Sequence, residues 1–123
     1  MHRSKNRMKL LLVDDDAFLR DMYATKFEES GDNVSVAKSG AEALHLLDGD
    51  SFEVVLMDMI MPGITGVDLV KAVTEKGVTC IVLSNQGEPA DVEAAKKAGA
   101  KGYIIKADLI PSEVVTKVHK LIS

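Results

Sequence analysis

Three consecutive aspartates follow a short apolar run near the start of the chain. Residues 10–13 are all apolar, and Asp14, Asp15 and Asp16 come directly after them. An uninterrupted apolar run of this length is typical of a strand buried on both faces of a parallel sheet. Neighbouring carboxylates repel one another and are costly to bury without partners. Their place at the mouth of the core therefore indicates a chemical role.

Later apolar runs also end in side chains that can do chemistry. Asp58, Ser84 and Lys106 close the third, fourth and fifth runs. Sites in open parallel sheets form outside the carboxyl ends of the strands, so we expect these side chains to share one rim with the first aspartates. Clustered carboxylate oxygens suit a hard divalent cation, and Mg²⁺ fits best. A carboxylate can also form an acyl phosphate, while a lysine and a hydroxyl neutralise the phosphoryl oxygens.

The elements that must position this rim alternate along the chain. Apolar runs predict strands over residues 10–13, 33–38, 52–57, 79–84 and 102–106. Helical spacing of apolar residues follows each run, as in the face formed by Leu19, Met22, Tyr23 and Phe27. Five strands alternating with five helices predict a parallel sheet covered by helices on both faces.

Capping signals mark the ends of the predicted helices. Ser39 and Thr65 each precede an acidic residue by three positions, which is the capping-box pattern. Asp16 stands just before a helical pattern, so we interpret it as an N-cap and not as a metal ligand. The remaining boundary signals are Pro89 and Pro111 at helix starts, and Gly31 and Gly99 at helix ends.

The bulk composition restricts the class of protein. A chain of 123 residues predicts one domain, and we assign residues 1–8 to a flexible basic leader and residues 9–123 to that domain. The fifth helix completes the layer, so we expect no output domain within these residues. A net charge of −4 argues against direct nucleic-acid binding, and no apolar run approaches the length of a membrane span. The single cysteine, Cys80, excludes an internal disulfide and favours a cytoplasmic location and an inert core position.

Four motifs in order resemble the receiver domain of bacterial response regulators, the CheY-like family. "LLVDDD" is similar to the acidic pair after the family's first strand, and "VVLMDMIMPGITG" to its phosphoacceptor segment. "IVLSN" matches the serine or threonine that closes the fourth strand, and "AGAKGYIIK" matches the lysine of the fifth strand. The likeness covers nearly everything from Lys9 to Ile122. It implies a flavodoxin-like (βα)5 fold, a doubly wound parallel sheet with strand order 2-1-3-4-5.

The resemblance implies a metal site and a nucleophile. Asp58 would be the phosphorylated aspartate. Mg²⁺ would be held by Asp14, Asp15, Asp58 and the backbone carbonyl of Ile60. Three neighbouring carboxylates then make sense as a metal cradle plus a nucleophile.

The resemblance also implies a switch and two partners. Lys106 and Ser84 would contact the phosphoryl group, and Ser84 and Tyr103 would move when it is present. The surface of the fourth helix, fifth strand and fifth helix would then change for an output protein or domain. A histidine kinase or phosphotransfer protein would donate the group. The chain would phosphorylate and dephosphorylate itself without being a turnover enzyme, and we expect a monomer or weak dimer with no membrane contact.

Three positions depart from the commonest family pattern. Ala107 follows Lys106 where the family often has proline, which leaves the peptide bond between them cis or trans. Asn85 is larger than the residue usual after Ser84, so it can crowd the site or hydrogen-bond within it. Ile60, two residues past Asp58, has no polar group to orient a water molecule.

Three other functions fit the sequence less well. A Mg²⁺-dependent phosphohydrolase would use Asp58 as nucleophile, but such families usually place an acidic acid/base where this chain has Ile60. A phosphorylation-independent docking module is disfavoured because no site position is missing. A flavin-binding flavodoxin lacks support because no Ser/Thr-rich phosphate loop follows the first strand. The histidines His2, His45 and His119 have no metal-ligand spacing, so we interpret them as surface residues.

Overall fold

Strands and helices alternate along the whole domain, as predicted. The computed structural model describes residues 8–85 and 87–123. In chain order the elements are β1 (Lys9–Val13), α1 (Ala17–Glu29), β2 (Asn33–Ala37), α2 (Gly40–Gly49), β3 (Val54–Met57), α3 (Gly66–Glu75), β4 (Thr79–Ser84), α4 (Pro89–Ala98), β5 (Gly102–Ile105), a short 3₁₀ turn (Lys106–Asp108) and α5 (Pro111–Ile122). None of the helices within the described ranges is long and apolar enough to cross a membrane.

The five strands form one parallel sheet with the order β2-β1-β3-β4-β5. This order confirms the predicted flavodoxin-like fold. The chain reverses its direction of winding at β1, so the carboxyl ends of β1 and β3 lie side by side at the centre of the sheet. Crevices at such reversal points are where ligands bind in this class of sheet. Asp14, Asp15 and Asp58 follow those two strands.

Two apolar layers, one on each face of the sheet, hold the domain together. Successive strand residues point to opposite faces, so Leu10 and Leu12 join one layer while Leu11 and Val13 join the other. The first layer packs against α1 and α5, through Tyr23 and Phe27 among others. The second packs against α2, α3 and α4. All four residues of β3 are buried, because this central strand is covered on both faces.

The predicted capping residues occupy the helix ends. Asp16 accepts a hydrogen bond from the Leu19 N–H at 3.1 Å, which confirms that it is an N-cap. Ser39 and Thr65 cap α2 and α3 in the same way. Gly99 ends α4 with a φ of 117°, in the left-handed region that glycine favours.

Four strand boundaries differ from the prediction by one or two residues, since β1 begins at Lys9, β2 ends at Ala37, β3 begins at Val54 and β5 ends at Ile105. Phe52, which was predicted to begin the third strand, lies two residues before β3 and packs beside the Lys9 ammonium. The packed domain also starts one residue early, since Met8 is buried and accepts a hydrogen bond from the Asn33 N–H at 2.9 Å. The rest of the predicted leader, residues 1–7, lies outside the described residues. Among the described residues no peptide bond is cis, so the bond after Lys106 is trans.

His119 is not a surface residue, contrary to the prediction. Its side chain is 15% exposed, and its Nε2 donates to Asp32 Oδ2 at 2.6 Å. The Asp32 side chain is fully buried and also accepts the Met8 N–H at 3.1 Å. The contact joins α5 to the amino edge of the sheet across 87 residues of sequence. Since the partner lies so far away along the chain, the spacing of histidines could not reveal it. His45 is exposed as predicted, and His2 lies outside the described residues.

Candidate functional site

The predicted rim residues line one cavity at the carboxyl edge of the sheet. The cavity measures about 450 Å³ and is lined by Asp14, Asp15, Asp16, Leu19, Asp58, Ile60, Ser84, Asn85 and Lys106. A larger cavity of about 540 Å³ lies on the outer surface of α5, where no carboxylate cluster is found among the described residues. We take the smaller cavity as the candidate site because its lining, and not its size, provides the chemistry.

Three carboxylates converge in this cavity. One oxygen atom from each of Asp14, Asp15 and Asp58 lies within 4.8 Å of the others. Asp14 and Asp58 are 2% and 7% exposed, whereas Asp15 is open to solvent. Hard oxygen donors at this spacing suit Mg²⁺, which binds through a few carboxylates and retains several waters. The donor set therefore fits the ion that the sequence predicts, with the open side at Asp15.

Each buried carboxylate is held at both oxygen atoms. Asp14 Oδ1 accepts the Asp16 N–H at 2.9 Å, and Asp58 Oδ1 accepts the Ile60 N–H at 3.0 Å. The Lys106 ammonium donates to the remaining oxygens, Asp14 Oδ2 at 3.0 Å and Asp58 Oδ2 at 3.1 Å. Charge-assisted bonds of this length are stronger than neutral ones, so the two carboxylates have a fixed orientation.

Lys106 carries the positive charge of the site. Its side chain is 6% exposed, and it arrives from the 3₁₀ turn directly after β5. Burial alone lowers the pKa of an ammonium group. The hydrogen bond to Asp14 and the attraction of Asp58 more than offset this effect, so the pKa of Lys106 is raised above its ordinary 10.5. The lysine is therefore charged throughout the physiological range.

The sheet itself places the two buried aspartates. Backbone ladders continue past the strand ends, because the Asp14 N–H donates to the Ala37 carbonyl and the Asp58 N–H donates to the Val13 carbonyl, each at 3.1 Å. The loop after Asp58 is fixed from behind by Gly66, the first residue of α3. A Cβ atom at that position would lie 2.5 Å from the Met59 carbonyl oxygen, so only glycine permits this approach.

Ser84 and Tyr103 connect the cavity to β5. Ser84 ends β4 and is 1% exposed. A hydrogen bond joins its side chain to that of Tyr103, a half-buried residue of the neighbouring strand. Burial raises the pKa of Tyr103, and the hydrogen bond to Ser84 lowers it by a smaller amount. Tyr103 itself is not part of the cavity lining, so its predicted role as a switch depends on Ser84.

Two residues that contact the site were not predicted to do so. Leu19, expected as a core residue, lines the cavity. Arg20 donates from Nη1 to the Asp14 carbonyl oxygen at 2.9 Å. A signal for Arg20 was present, because a cation in the first turns of a helix opposes the helix dipole and therefore indicates another partner.

The fold and the rim define a flavodoxin-like α/β domain with an acidic site at the point where the strand order reverses, between β1 and β3. A family model described as "Response regulator receiver domain" matches residues 10–119. The chain therefore belongs to the response regulator receiver domain family. It is a signalling domain of two-component systems and not a metabolic enzyme.

Similar proteins agree with this assignment. The transcriptional regulatory protein ResD of Bacillus subtilis is 32% identical over 118 residues, which cover 95% of this chain and 49% of ResD. CpxR of Escherichia coli is 39% identical over 99 residues, which cover 80% of this chain and 42% of CpxR. The solved structure of the chemotaxis protein CheY4 of Vibrio cholerae superposes with a TM-score of 0.87 at 28% identity, covering 94% of this chain and 98% of CheY4. The chain thus spans about half the length of the curated relatives it matches.

Proposed function

We propose that this domain accepts a phosphoryl group on Asp58 from a histidine kinase or a phosphotransfer protein. The proposal rests on the pairing of the Lys106 ammonium with the carboxylates of the site. One buried ammonium bridges Asp58 and Asp14, while a third carboxylate, from Asp15, lies within 4.8 Å on the solvent side. A nucleophile, a cation to neutralise the transferred group and a set of metal ligands then share one cavity.

The chemistry follows from these positions. An oxygen of Asp58 forms a bond to phosphorus, the phosphorus–nitrogen bond to the donor's histidine breaks, and the nitrogen keeps the electron pair. Mg²⁺, held by Asp14, Asp15, Asp58 and the carbonyl of Ile60, would supply positive charge to the phosphoryl oxygens. Lys106 is already in place to neutralise another oxygen, and its raised pKa keeps it charged.

The switch begins at the end of β4. Phosphorylation adds a charge of about −1.5 to −2 at the rim. The Ser84 hydroxyl would turn toward the phosphoryl oxygens and release the Tyr103 side chain, with which it shares a hydrogen bond. Tyr103 lies on β5, so the change would reach the surface formed by α4, β5 and α5. We propose that an output protein or domain binds there, that the domain is a monomer or weak dimer, and that it does not contact nucleic acid directly.

The experiment that tests the nucleophile is intact-mass measurement after incubation with acetyl phosphate and Mg²⁺. The parent chain should gain about 80 Da, the mass of one phosphoryl group. Asp58→Asn should gain nothing. Asp16→Asn is the matched control, because it removes a carboxylate from the same cavity while asparagine remains a good N-cap.

The control should label like the parent. A parent that does not label, or an Asp58→Asn variant that labels fully at another residue, would overturn the assignment. Labelling that is lost equally in the Asp16→Asn variant would mean that general acidity of the rim, and not Asp58 alone, determines the reaction.

A further inference from the structure

Arg20 contacts the candidate site through the backbone of Asp14 and not through a side chain of the site. The residue lies in the first turns of α1, and its guanidinium Nη1 donates to the carbonyl oxygen of Asp14 at 2.9 Å. The side chain is half-buried. A positive charge at this end of a helix is unfavourable, so the bond to Asp14 provides the compensation that keeps the arginine there.

With this bond, every polar group of Asp14 has a partner. The N–H donates to Ala37, Oδ1 accepts from Asp16, and Oδ2 accepts from Lys106. The carbonyl oxygen would otherwise lose its ladder partner where β1 ends. Arg20 therefore satisfies the last backbone acceptor before the acidic loop, and it does so with a charge-assisted bond.

The Asp14 carbonyl has a further property: it belongs to the peptide plane that joins Asp14 to Asp15. Because the peptide unit is planar, fixing this oxygen fixes the position of the Asp15 Cα, from which the Asp15 side chain extends toward the site. Asp14 and Asp58 are also held through their own carboxylate oxygens. Asp15 is exposed, so the position of its Cα limits where its carboxylate can lie beside the other two.

We infer that Arg20 is a positioning residue for the divalent-cation site, which places Asp15 by clamping the Asp14–Asp15 peptide plane. The inference rests on the proposed function, because it assigns a role toward the Mg²⁺ that this function requires. The charge of Arg20 affects Mg²⁺ binding in the opposite direction to this positioning effect. A guanidinium near the site repels a divalent cation, so its charge alone would weaken Mg²⁺ binding.

This opposition of signs provides a clear test. Arg20→Met removes both the charge and the hydrogen bond while it keeps an unbranched, helix-forming side chain. If the clamp dominates, Mg²⁺ should bind about tenfold more weakly or worse, the range found when groups that orient metal ligands are removed. If only the charge matters, Mg²⁺ should bind more tightly.

The measurement is isothermal titration of the full chain with MgCl₂, well below the melting temperature of each variant. Lys26→Met is the matched control. It removes the same charge from the same helix, but Lys26 pairs with Glu29 and not with Asp14. The control should bind Mg²⁺ as tightly as the parent or slightly more tightly. Since titration reports the folded protein, a purely structural role of Arg20 would lower the melting temperature without changing this dissociation constant.

A second variant guards against misfolding. If Arg20→Met lacks a cooperative melting transition, Arg20→Gln takes its place and should also bind Mg²⁺ more weakly than the parent. Equal or tighter binding by the folded Arg20 variant would overturn the inference while leaving Asp58 labelling intact. Absence of Mg²⁺ binding by the parent would overturn the proposed function and this inference together.

Discussion

Replacing Lys106 by methionine tests the energetic role of the ammonium that bridges the two buried aspartates. Methionine keeps most of the side-chain volume but removes the charge. Without metal, Asp14 and Asp58 would then face each other with no cation between them, and each would lose one of its two carboxylate hydrogen bonds. We expect the variant to be clearly less stable than the parent in EDTA.

The size of the effect follows from burial. The side chains of Lys106, Asp14 and Asp58 are 6%, 3% and 10% exposed, so water can replace the lost partner only in part. Removing one partner from a buried ion pair costs about 3–5 kcal/mol. In a domain of this size 1 kcal/mol corresponds to about 3–5 °C, so the melting temperature should fall by about 10–20 °C.

Thermal unfolding followed by far-ultraviolet circular dichroism measures this change, first in EDTA and then in Mg²⁺. Mg²⁺ should raise the melting temperature of Lys106→Met by more than it raises that of the parent, because the cation no longer meets the repulsion of the ammonium. Lys101→Met is the control, since Lys101 is an exposed lysine close by in sequence and its loss should cost at most about 0.5 kcal/mol.

The pH dependence has a definite sign. The folded-state pKa of Lys106 lies above the ordinary 10.5, so its contribution is complete below 10.5 and is lost as the pH rises through the folded value. The difference between parent and variant should therefore be the same from about pH 7 to about pH 9. A Lys106→Met variant that melts in EDTA within about 2 °C of the parent would refute the reasoning, because the bridge would then contribute less than 1 kcal/mol.

Three further predictions concern the metal, the phosphoryl lifetime and the thiol. Asp15→Asn should raise the metal-free melting temperature by a few degrees, because it relieves carboxylate repulsion, and it should weaken Mg²⁺ binding, because it removes a charged ligand. A lower metal-free melting temperature in the same experiment would instead mean that Asp15 has a structural role. Ile60→Asn should shorten the lifetime of phosphorylated Asp58 about tenfold by orienting the attacking water, since about 1.4 kcal/mol of barrier corresponds to that factor; equal decay after donor removal would contradict this. Burial raises the pKa of Cys80 to about 12, so Ellman's reagent should react with it at neutral pH only after unfolding, and rapid reaction of the native chain would count against a buried thiol.

The order of elements was predictable because each one has a strong local signal. Buried apolar runs such as that before Asp14 indicate central strands, and Asp16, Ser39 and Thr65 mark helix starts through hydrogen bonds that span only three residues. The first residue of β3 was not predictable. Phe52 is as apolar as the residues of β3, and its contact is with Lys9, which is distant in sequence.

The candidate site was likewise predictable only in part. Asp14, Asp15, Asp58, Ser84 and Lys106 could be grouped in advance, because the carboxyl ends of parallel strands meet at one edge. Their roles in phosphoryl transfer stay predictions until the labelling experiment is done.

The partners of Arg20 and His119 could not be identified from local patterns, although the place of Arg20 near a helix start indicated that it has one. Each depends on which way a half-buried helical side chain turns. A sequence pattern of apolar residues carries no information about that choice for polar ones.

The hydrogen bond between His119 and Asp32 has a consequence for how the domain opens in native-state fluctuations. Asp32 is fully buried and holds the backbone of Met8 as well, so the last turns of α5 cannot fray without leaving a carboxylate short of a partner inside the protein. Helix ends normally exchange their amide protons freely, and we expect this one to exchange more slowly, because opening it breaks a buried hydrogen bond to Asp32. Asp32 thus couples the end of α5 to the backbone that leads into β1, on the amino side of the sheet.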